Sequence, residues 1–385
     1  MSVHARVRAD ACPGVFATHD AADGPLARVR LPGGVVTAAQ LRALADAAVA
    51  CGDGDAHLTS RGNVQLRAVT RPGLRERLSE AGLLPSPTHE RVRNVLASPW
   101  SGISGGAADV RGLAAALDEA VCARPELASL PGRFLFAFDD GRGDVAGEAP
   151  DVCWLAVDSA VGAVLLAGAD TGLRVARESA VAALTALAAA FARTRGTAWR
   201  VGELADPSAL LAALDSGTRA TPVSWPGAPD DRIGPVPGHD GHAAGVAPYL
   251  GRLSAAQLRS LAGAADHAVV TPWRTIVLPG VRPEALKTLA GAGLLTDPAD
   301  PRLRVSACAG RPGCAKSRAD VRADAARLAA LPPGARAHVS GCERRCGKPS
   351  RSHLDVVAAE DGYRVDGTWV PVERLGETAV RKGST

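Results

Sequence analysis

The chain has 385 residues, a net charge of +4, and 46% hydrophobic against 22% charged residues, a balance that excludes a disordered chain. Its longest apolar run, residues 180–192, spans 13 residues, short of the ~20 that a membrane-crossing helix requires. Charges run through the N-terminal residues without an apolar stretch, so the expectation is a cytoplasmic protein with no secretory signal; so weak a net charge, with 3% aromatic residues, argues against nucleic acid as a partner.

In chain order, an apolar strand precedes a helix with Leu41, Leu44 and Ala48 at helical spacing. An alternating strand around Leu58, Val64 and Leu66 follows, then a second helix around Leu74 and Leu78. Next come a strand at 93–97, a helix at 110–121, a strand at 134–138, a strand pair at 153–157 and 163–166, and an Ala-rich helix at 179–192. Residues 215–245 hold five Pro and six Gly with little periodicity and read as a linker.

Then the pattern starts again. Residues 254–262 (SAAQLRSLA) repeat residues 37–45 (TAAQLRALA) at seven of nine positions, and residues 291–298 (GAGLLTDP) repeat 80–87 (EAGLLPSP) at five of eight. Between them, residues 59–66 align with 271–278. A strand at 303–307, a helix at 318–331, a strand at 337–339 and a strand pair at 354–358 and 363–365 continue the order of the first copy. The expectation is an α+β protein of two fused copies related by a pseudo-two-fold. Its parts are a half-domain at 1–88, an α+β domain at 89–205, a linker at 206–243, a second half-domain at 244–300 and a cysteine-bearing domain at 301–385.

Of the eight cysteines, Cys12, Cys51, Cys122 and Cys153 are scattered, whereas Cys308, Cys314, Cys342 and Cys346 cluster within 39 residues. In a chain read as cytoplasmic, such a cluster points to metal, not to a disulfide framework. Four thiolates suit a tetrahedral zinc or the four irons of a [4Fe–4S] cluster. The C-x5-C spacing is longer than the usual zinc knuckle and favours the cluster. A helix beginning near Ser317 would point its positive end at such a cluster. Gly341 and Gly347 would let backbone approach the sulfides.

S-A-C-A-G-R-P-G-C (306–314) and H-V-S-G-C-E-R-R-C-G (338–347) resemble the cluster-binding halves of the nitrite/sulfite reductase superfamily. T-S-R-G-N-V-Q-L-R (59–67) resembles its ferredoxin-like half-domain motif, and R-N-V-L-A-S-P (93–99) the segment that follows. The resemblance implies two ferredoxin-like half-domains plus a nitrite/sulfite reductase-type α+β domain in pseudo-two-fold arrangement. It implies a [4Fe–4S] cluster on Cys308, Cys314, Cys342 and Cys346, with Cys346 at the position that bridges to a siroheme iron in the reductases. It also implies that Arg61, Asn63, Gln65, Arg93 and Arg133 bind a tetrapyrrole.

Within the superfamily, two families compete. Siroheme-dependent sulfite and nitrite reductases use the tetrapyrrole as cofactor. The precorrin-3B synthases take a siroheme-like tetrapyrrole as substrate, and that family implies dioxygen, a further non-haem iron, meso hydroxylation and a γ-lactone. The chain is compact for a reductase. L-P-G-R-F-L-F (130–136) keeps Arg133 where the reductases carry the first of two lysines, but has Leu135 at the second. The Cys342–Cys346 loop departs from both families, while A-C-P-G (11–14) and H-V-S-G-C (338–342) are closer to the synthases. The expected function is therefore precorrin-3B synthase, an iron–sulfur monooxygenase of cobalamin biosynthesis, with siroheme only under the reductase alternative. The implied partners are a tetrapyrrole, dioxygen and a separate electron donor, an NAD(P)H-linked reductase or a ferredoxin.

His57, His239, His242, His338 and His353 are candidates for a second iron, but none stands in a two-His-one-carboxylate spacing. His239-Asp240-Gly241-His242 reads as a solvated loop, and His338 is expected to orient the cysteine loop. Gly141, Gly143 and Gly147 follow a strand but precede no helix, so no nicotinamide site is expected.

Overall fold

The repeated T/S-A-A-Q segments build one device twice. Thr37 caps helix Ala38–Cys51 and Ser254 caps helix Ala255–Ala264, each in a capping box closed by Gln40 or Gln257. Each helix buries one leucine-bearing face (Leu41 and Leu44; Leu258 and Leu261), and the two pack against each other in a single core. The computed structural model describes residues 12–225, 227–239 and 241–384; Ala11 and Asp240, which belong to two of the sequence motifs, lie outside the described residues.

The short strand leading into each helix crosses to the other copy. Val35–Thr37 pairs antiparallel with His267–Val270, and Arg252–Ser254 pairs antiparallel with Asp55–Leu58. Two five-stranded sheets result, each ending on a strand lent by the other half. The half-domains expected at 1–88 and 244–300 thus interlock and share one core.

The linker expectation for 206–243 needs correction. Strand Thr218–Arg219 pairs with Ala169–Ala176, and strand Gly234–Gly238 forms a hairpin with Gly241–Val246 inside the second sheet. Gly234–Gly238 is an edge strand, where Pro235 and Pro237 cost no ladder bond on the open side. Proline density there signals an edge, not a spacer.

The other two domains repeat one plan. Val95–Ala97, Phe136–Asp139 and Val152–Ala156 run parallel and pass into the antiparallel strands Val161–Leu166 and Ala169–Ala176. Likewise Val305–Ala307, Ala337–Ser340 and Leu354–Ala359 run parallel and pass into Gly362–Val365 and Thr368–Val370. Helix Ala180–Thr194 covers the first of these sheets, with Phe191 against Phe134 at 5.1 Å between ring centroids. The helix expected at 318–331 is only Val321–Ala325, capped by Asp320 and continued by a 3-10 turn at Ala326–Leu328. So short a helix, starting seven residues beyond Cys314, offers no dipole to a cluster. No helix of the described residues is long and apolar enough to cross a membrane.

Candidate metal centre

Parallel strands Val305–Ala307 and Ala337–Ser340 end side by side, with Ala307 opposite Val339. Both following turns therefore leave from the same sheet end, the usual place for a site in an open sheet. The first turn carries Cys308 and Cys314, the second Cys342 and Cys346. All four thiols line one cavity of about 440 Å³. Gly341 N–H donates to Cys308 Sγ at 3.2 Å. A Cβ on Gly341 would lie 1.9 Å from Ser317 Oγ, so only glycine brings that amide to the sulfur. His338 Nε2 lies 3.2 Å from the carbonyl of Cys346 and Nδ1 lies 2.9 Å from Ser306 Oγ. The carbonyl can only accept, so Nε2 carries the proton and the ring is neutral. Burial holds its pKa down at about 4. His338 thus ties the second cysteine turn to the sheet, as expected.

The charges in this cavity fit a thiolate-bound iron–sulfur cluster. Burial pushes the Cys346 thiol up, and the other three cysteines push it further; four such sulfurs share a site comfortably only around cationic metal. Arg322 donates from Nε to the Cys308 carbonyl at 3.3 Å. Arg67 is anchored by Asp23 at 2.8 Å and reaches the Gly313 carbonyl in the first turn. The cluster could be held by Cys308, Cys314, Cys342 and Cys346. Among the described residues no disulfide forms, and Cys51 and Cys153 are buried elsewhere.

The opposite wall is the first five-stranded sheet. Its register aligns Arg28 with Gln65, Gln65 with His57, and His57 with Arg252. Residues opposite one another across a ladder share a face, so these side chains form one polar row, and Arg28, Gln65 and His57 line the cavity. Arg28 Nη2 donates to Gln65 Oε1 at 3.3 Å, while its Nε is buried without a partner. His57 Nε2 lies 3.3 Å from Asp53 Oδ2, so Nε2 donates and Nδ1 is left as an acceptor. Burial lowers the His57 pKa and keeps the ring neutral.

Behind Arg28 stands a group of guanidiniums. Arg30 is 2% exposed, and its Nε and Nη1 lack partners. Burial, then Arg28, brings its pKa down to about 9. Burial, then Arg200, brings Arg61 down to about 10, and Arg61 Nη1 donates to the Arg133 carbonyl at 2.9 Å. The Arg133 guanidinium lies over the Trp199 ring at 5.3 Å. Arg28, Arg30 and Arg61, largely buried, together with the exposed Arg133, make a positive group that attracts carboxylates.

The structure thus places Gln65 in the wall of the cavity with the four cysteines, and Arg61 and Arg133 in the guanidinium group behind Arg28, outside that lining. It places two other expected residues differently. Arg93 is 4% exposed and locked to Asp118 by two bonds of 2.6 Å. Asn63 is 1% exposed, accepts from Leu31 N–H at 2.8 Å and donates toward Asn94 Oδ1 at 3.4 Å. Neither lines the cavity. Arg28, Arg30 and His57's place in the polar row escaped the sequence reading, although the alternating Arg28-x-Arg30 was a signal. Leu135, 2% exposed, packs with Leu96, Cys153 and Leu155 and also lies away from the cavity wall.

Among the described residues the five histidines form no group that could hold a metal ion: His239 Nε2 accepts from Gly105 N–H at 3.1 Å, and the His338 and His353 rings stand edge to face at 6.1 Å. Asp139, Asp140 and Asp144 do converge within 4.8 Å. Asp139 is saturated by four backbone amides, and Asp140 is held by Arg142 at 2.7–2.8 Å. Asp139 and Asp140 are thus satisfied within the protein, whereas Asp144 Oδ2 is buried without a partner.

The family description "Nitrite/Sulfite reductase ferredoxin-like half domain" matches residues 19–81 and 236–292, which form the two interlocked sheets. The chain is 29% identical to a precorrin-3B synthase of Sinorhizobium sp over 93% of its length and 83% of the relative's. It is 25% identical to a ferredoxin–nitrite reductase of Synechococcus elongatus over 89% of its length and 78% of the relative's. The solved NirA protein of Mycobacterium tuberculosis shares the fold, with a TM-score of 0.74 at 22% identity over 93% of this chain and 80% of that one.

Proposed function

The chain belongs to the nitrite/sulfite reductase superfamily, and from that premise we propose that it is a cytoplasmic iron–sulfur monooxygenase with the precorrin-3B synthase reaction. The reaction is hydroxylation of precorrin-3A by dioxygen with closure of a γ-lactone, the second oxygen atom leaving as water. The observation that carries this reading is the meeting of four thiols and a carboxylate-seeking polar wall in one cavity. A substrate with many acetate and propionate arms needs such a wall. The relative from Sinorhizobium sp supports the synthase over a reductase. So does Leu135: its apolar packing leaves no second cation beside Arg133, and a small oxyanion taking up several electrons needs dense positive charge.

In this reading Cys308, Cys314, Cys342 and Cys346 hold a [4Fe–4S] cluster, which supplies single electrons when bound. Arg28, Arg61 and Arg133 grip substrate carboxylates through paired N–H bonds, and Gln65 fixes the register of the macrocycle. His57, neutral and backed by Asp53, accepts a proton at Nδ1. The two electrons come from a separate donor, a ferredoxin or an NAD(P)H-linked reductase.

Anaerobically purified protein given precorrin-3A, a reductant and labelled dioxygen tests the proposal. One labelled atom in the product hydroxyl is expected. Unlabelled product would overturn the dioxygen chemistry, and turnover of sulfite or nitrite by siroheme-containing protein would restore the reductase.

A further inference from the structure

A second cavity, of about 500 Å³, lies beside the cysteine cavity, and Ser60, Leu250, Arg274, Ala307 and Gly347 line both. Its wall carries the second copy's turn from Thr271 to Thr275, through Pro272, Trp273, Arg274 and Thr275. The turn from Thr271 to Thr275 repeats the turn from Thr59 to Asn63 bond for bond: the first residue's N–H donates to the last residue's carbonyl, at 3.0 Å and 2.9 Å. In both turns the last residue's N–H returns to the threonine Oγ1 at 3.2 Å. Arg61 stands in the first turn and Arg274 in the second. Arg336 immediately precedes strand Ala337–Ser340.

The cavity's charge is unbalanced. Arg232, Arg302 and Arg351 are paired with Asp230, Asp300 and Asp231. Arg274, Arg304, Arg336 and Lys348 line the same walls, and among the described residues none forms an ion pair. Arg274 and Arg304 reach only carbonyls, of Gly347 at 3.3 Å and of Leu331 at 2.6 Å. Burial, then Arg351, lowers the pKa of Arg336, as expected of a guanidinium short of counter-charge. Of the two carboxylates in the wall, Glu148 is committed to Trp273 Nε1 at 2.8 Å and Asp231 to Arg351 at 2.7 Å. His353 Nε2, in the same wall, is buried without a partner.

We propose that this second cavity, which adjoins the cysteine cavity at Arg274, is a binding site for a polyanionic small molecule, a polycarboxylate or a phosphate ester, gripped by Arg274, Arg304, Arg336 and Lys348. Planar guanidinium forks match carboxylate and phosphate alike, so the shared chemistry is the multiple negative charge.

Calorimetric titration of the full-length, anaerobically purified protein with citrate and, separately, inorganic pyrophosphate tests it. One molecule per chain is expected for at least one probe; citrate alone marks a polycarboxylate site, pyrophosphate alone a phosphate ester site, and both the shared charge. Arg336→Gln should weaken binding about tenfold, the loss of one charge-assisted contact. Lys348→Gln, at an exposed position and safe for folding, should weaken it severalfold. Arg344→Gln, which touches only the cysteine cavity, should leave it unchanged. Absence of binding by either probe up to about 10 mM, or a loss with Arg344→Gln that matches the loss with Arg336→Gln, overturns the proposal. Neither result bears on the labelled-dioxygen assay, so the two readings fail separately.

Discussion

The two interlocked sheets descend from one pattern and present opposite chemistry. Across the first sheet runs the row Arg28, Gln65, His57, Arg252; across the second, at the repeat-equivalent positions, runs Gly245, Val277, Val269, Val35. The polar row faces the cysteine cavity. The apolar row is closed by Trp100 and Ile103, which pack on Val269 and Val277 with Val236 and Ala243. The cysteines show the same asymmetry. Ser98 follows strand Val95–Ala97 where Cys308 follows Val305–Ala307, and it donates to Asp144 Oδ1 at 2.6 Å in a turn that gathers Asp139, Asp140 and Asp144. A duplicated scaffold offers two equivalent sites; this chain keeps one open and builds the other into its core.

The plug is the most vulnerable part of that contrast. Trp100 is fully buried, so Trp100→Ala should cost about 4 kcal/mol, read as a drop in chemical denaturation free energy. A loss well under ~1 kcal/mol would mean that the second face is not truly filled. The next effect separates support from binding. Arg93→Ala leaves Asp118 without its partner and should cost about 3 kcal/mol of stability. Arg28→Ala, in the polar row, should spare stability and weaken tetrapyrrole binding by about 2 kcal/mol. If Arg93→Ala folds normally and loses the tetrapyrrole instead, the assignment of the two arginines is reversed.

That reversal shows where sequence reading reaches its limit. The repeat was legible because TAAQ and SAAQ carry their own capping boxes, a local device. The cysteine grouping was legible because spacing places both turns on neighbouring strands. Arg93 and Arg61 look alike in a motif; only the fold reveals that Asp118, twenty-five residues on, consumes one of them. The strand exchange was also invisible, since a three-residue strand such as Val35–Thr37 carries no mark of which sheet it will join. The polar row needs the register of four strands from both copies, so no window of sequence displays it.

The smallest predicted effect sharpens the comparison at the cysteine-equivalent turn. Burial, then Asp139, pushes the Asp144 carboxyl up to about 8, and its Oδ2 has no partner. Its folded value lies above the unfolded one of about 4. Its contribution to stability is therefore full below pH ~4 and lost as pH rises through about 8. Asp144→Asn should remove that decline and leave the protein about 1 kcal/mol more stable at pH 8, measured by denaturant titration across pH 5 to 9. An unchanged pH profile would show that Asp144 is ionised in the folded protein.

The account's central claim is that the first copy's polar face and the four clustered cysteines make one iron–sulfur site that receives its tetrapyrrole as substrate. The most direct measurement is the iron and acid-labile sulfide content of anaerobically purified protein, taken with its visible spectrum. The prediction is about four irons and four sulfides per chain, a broad sulfide-to-iron absorption and no siroheme bands, with both metal and absorption lost in Cys308→Ala. Siroheme bands in the purified protein, or zinc in place of iron, would contradict it.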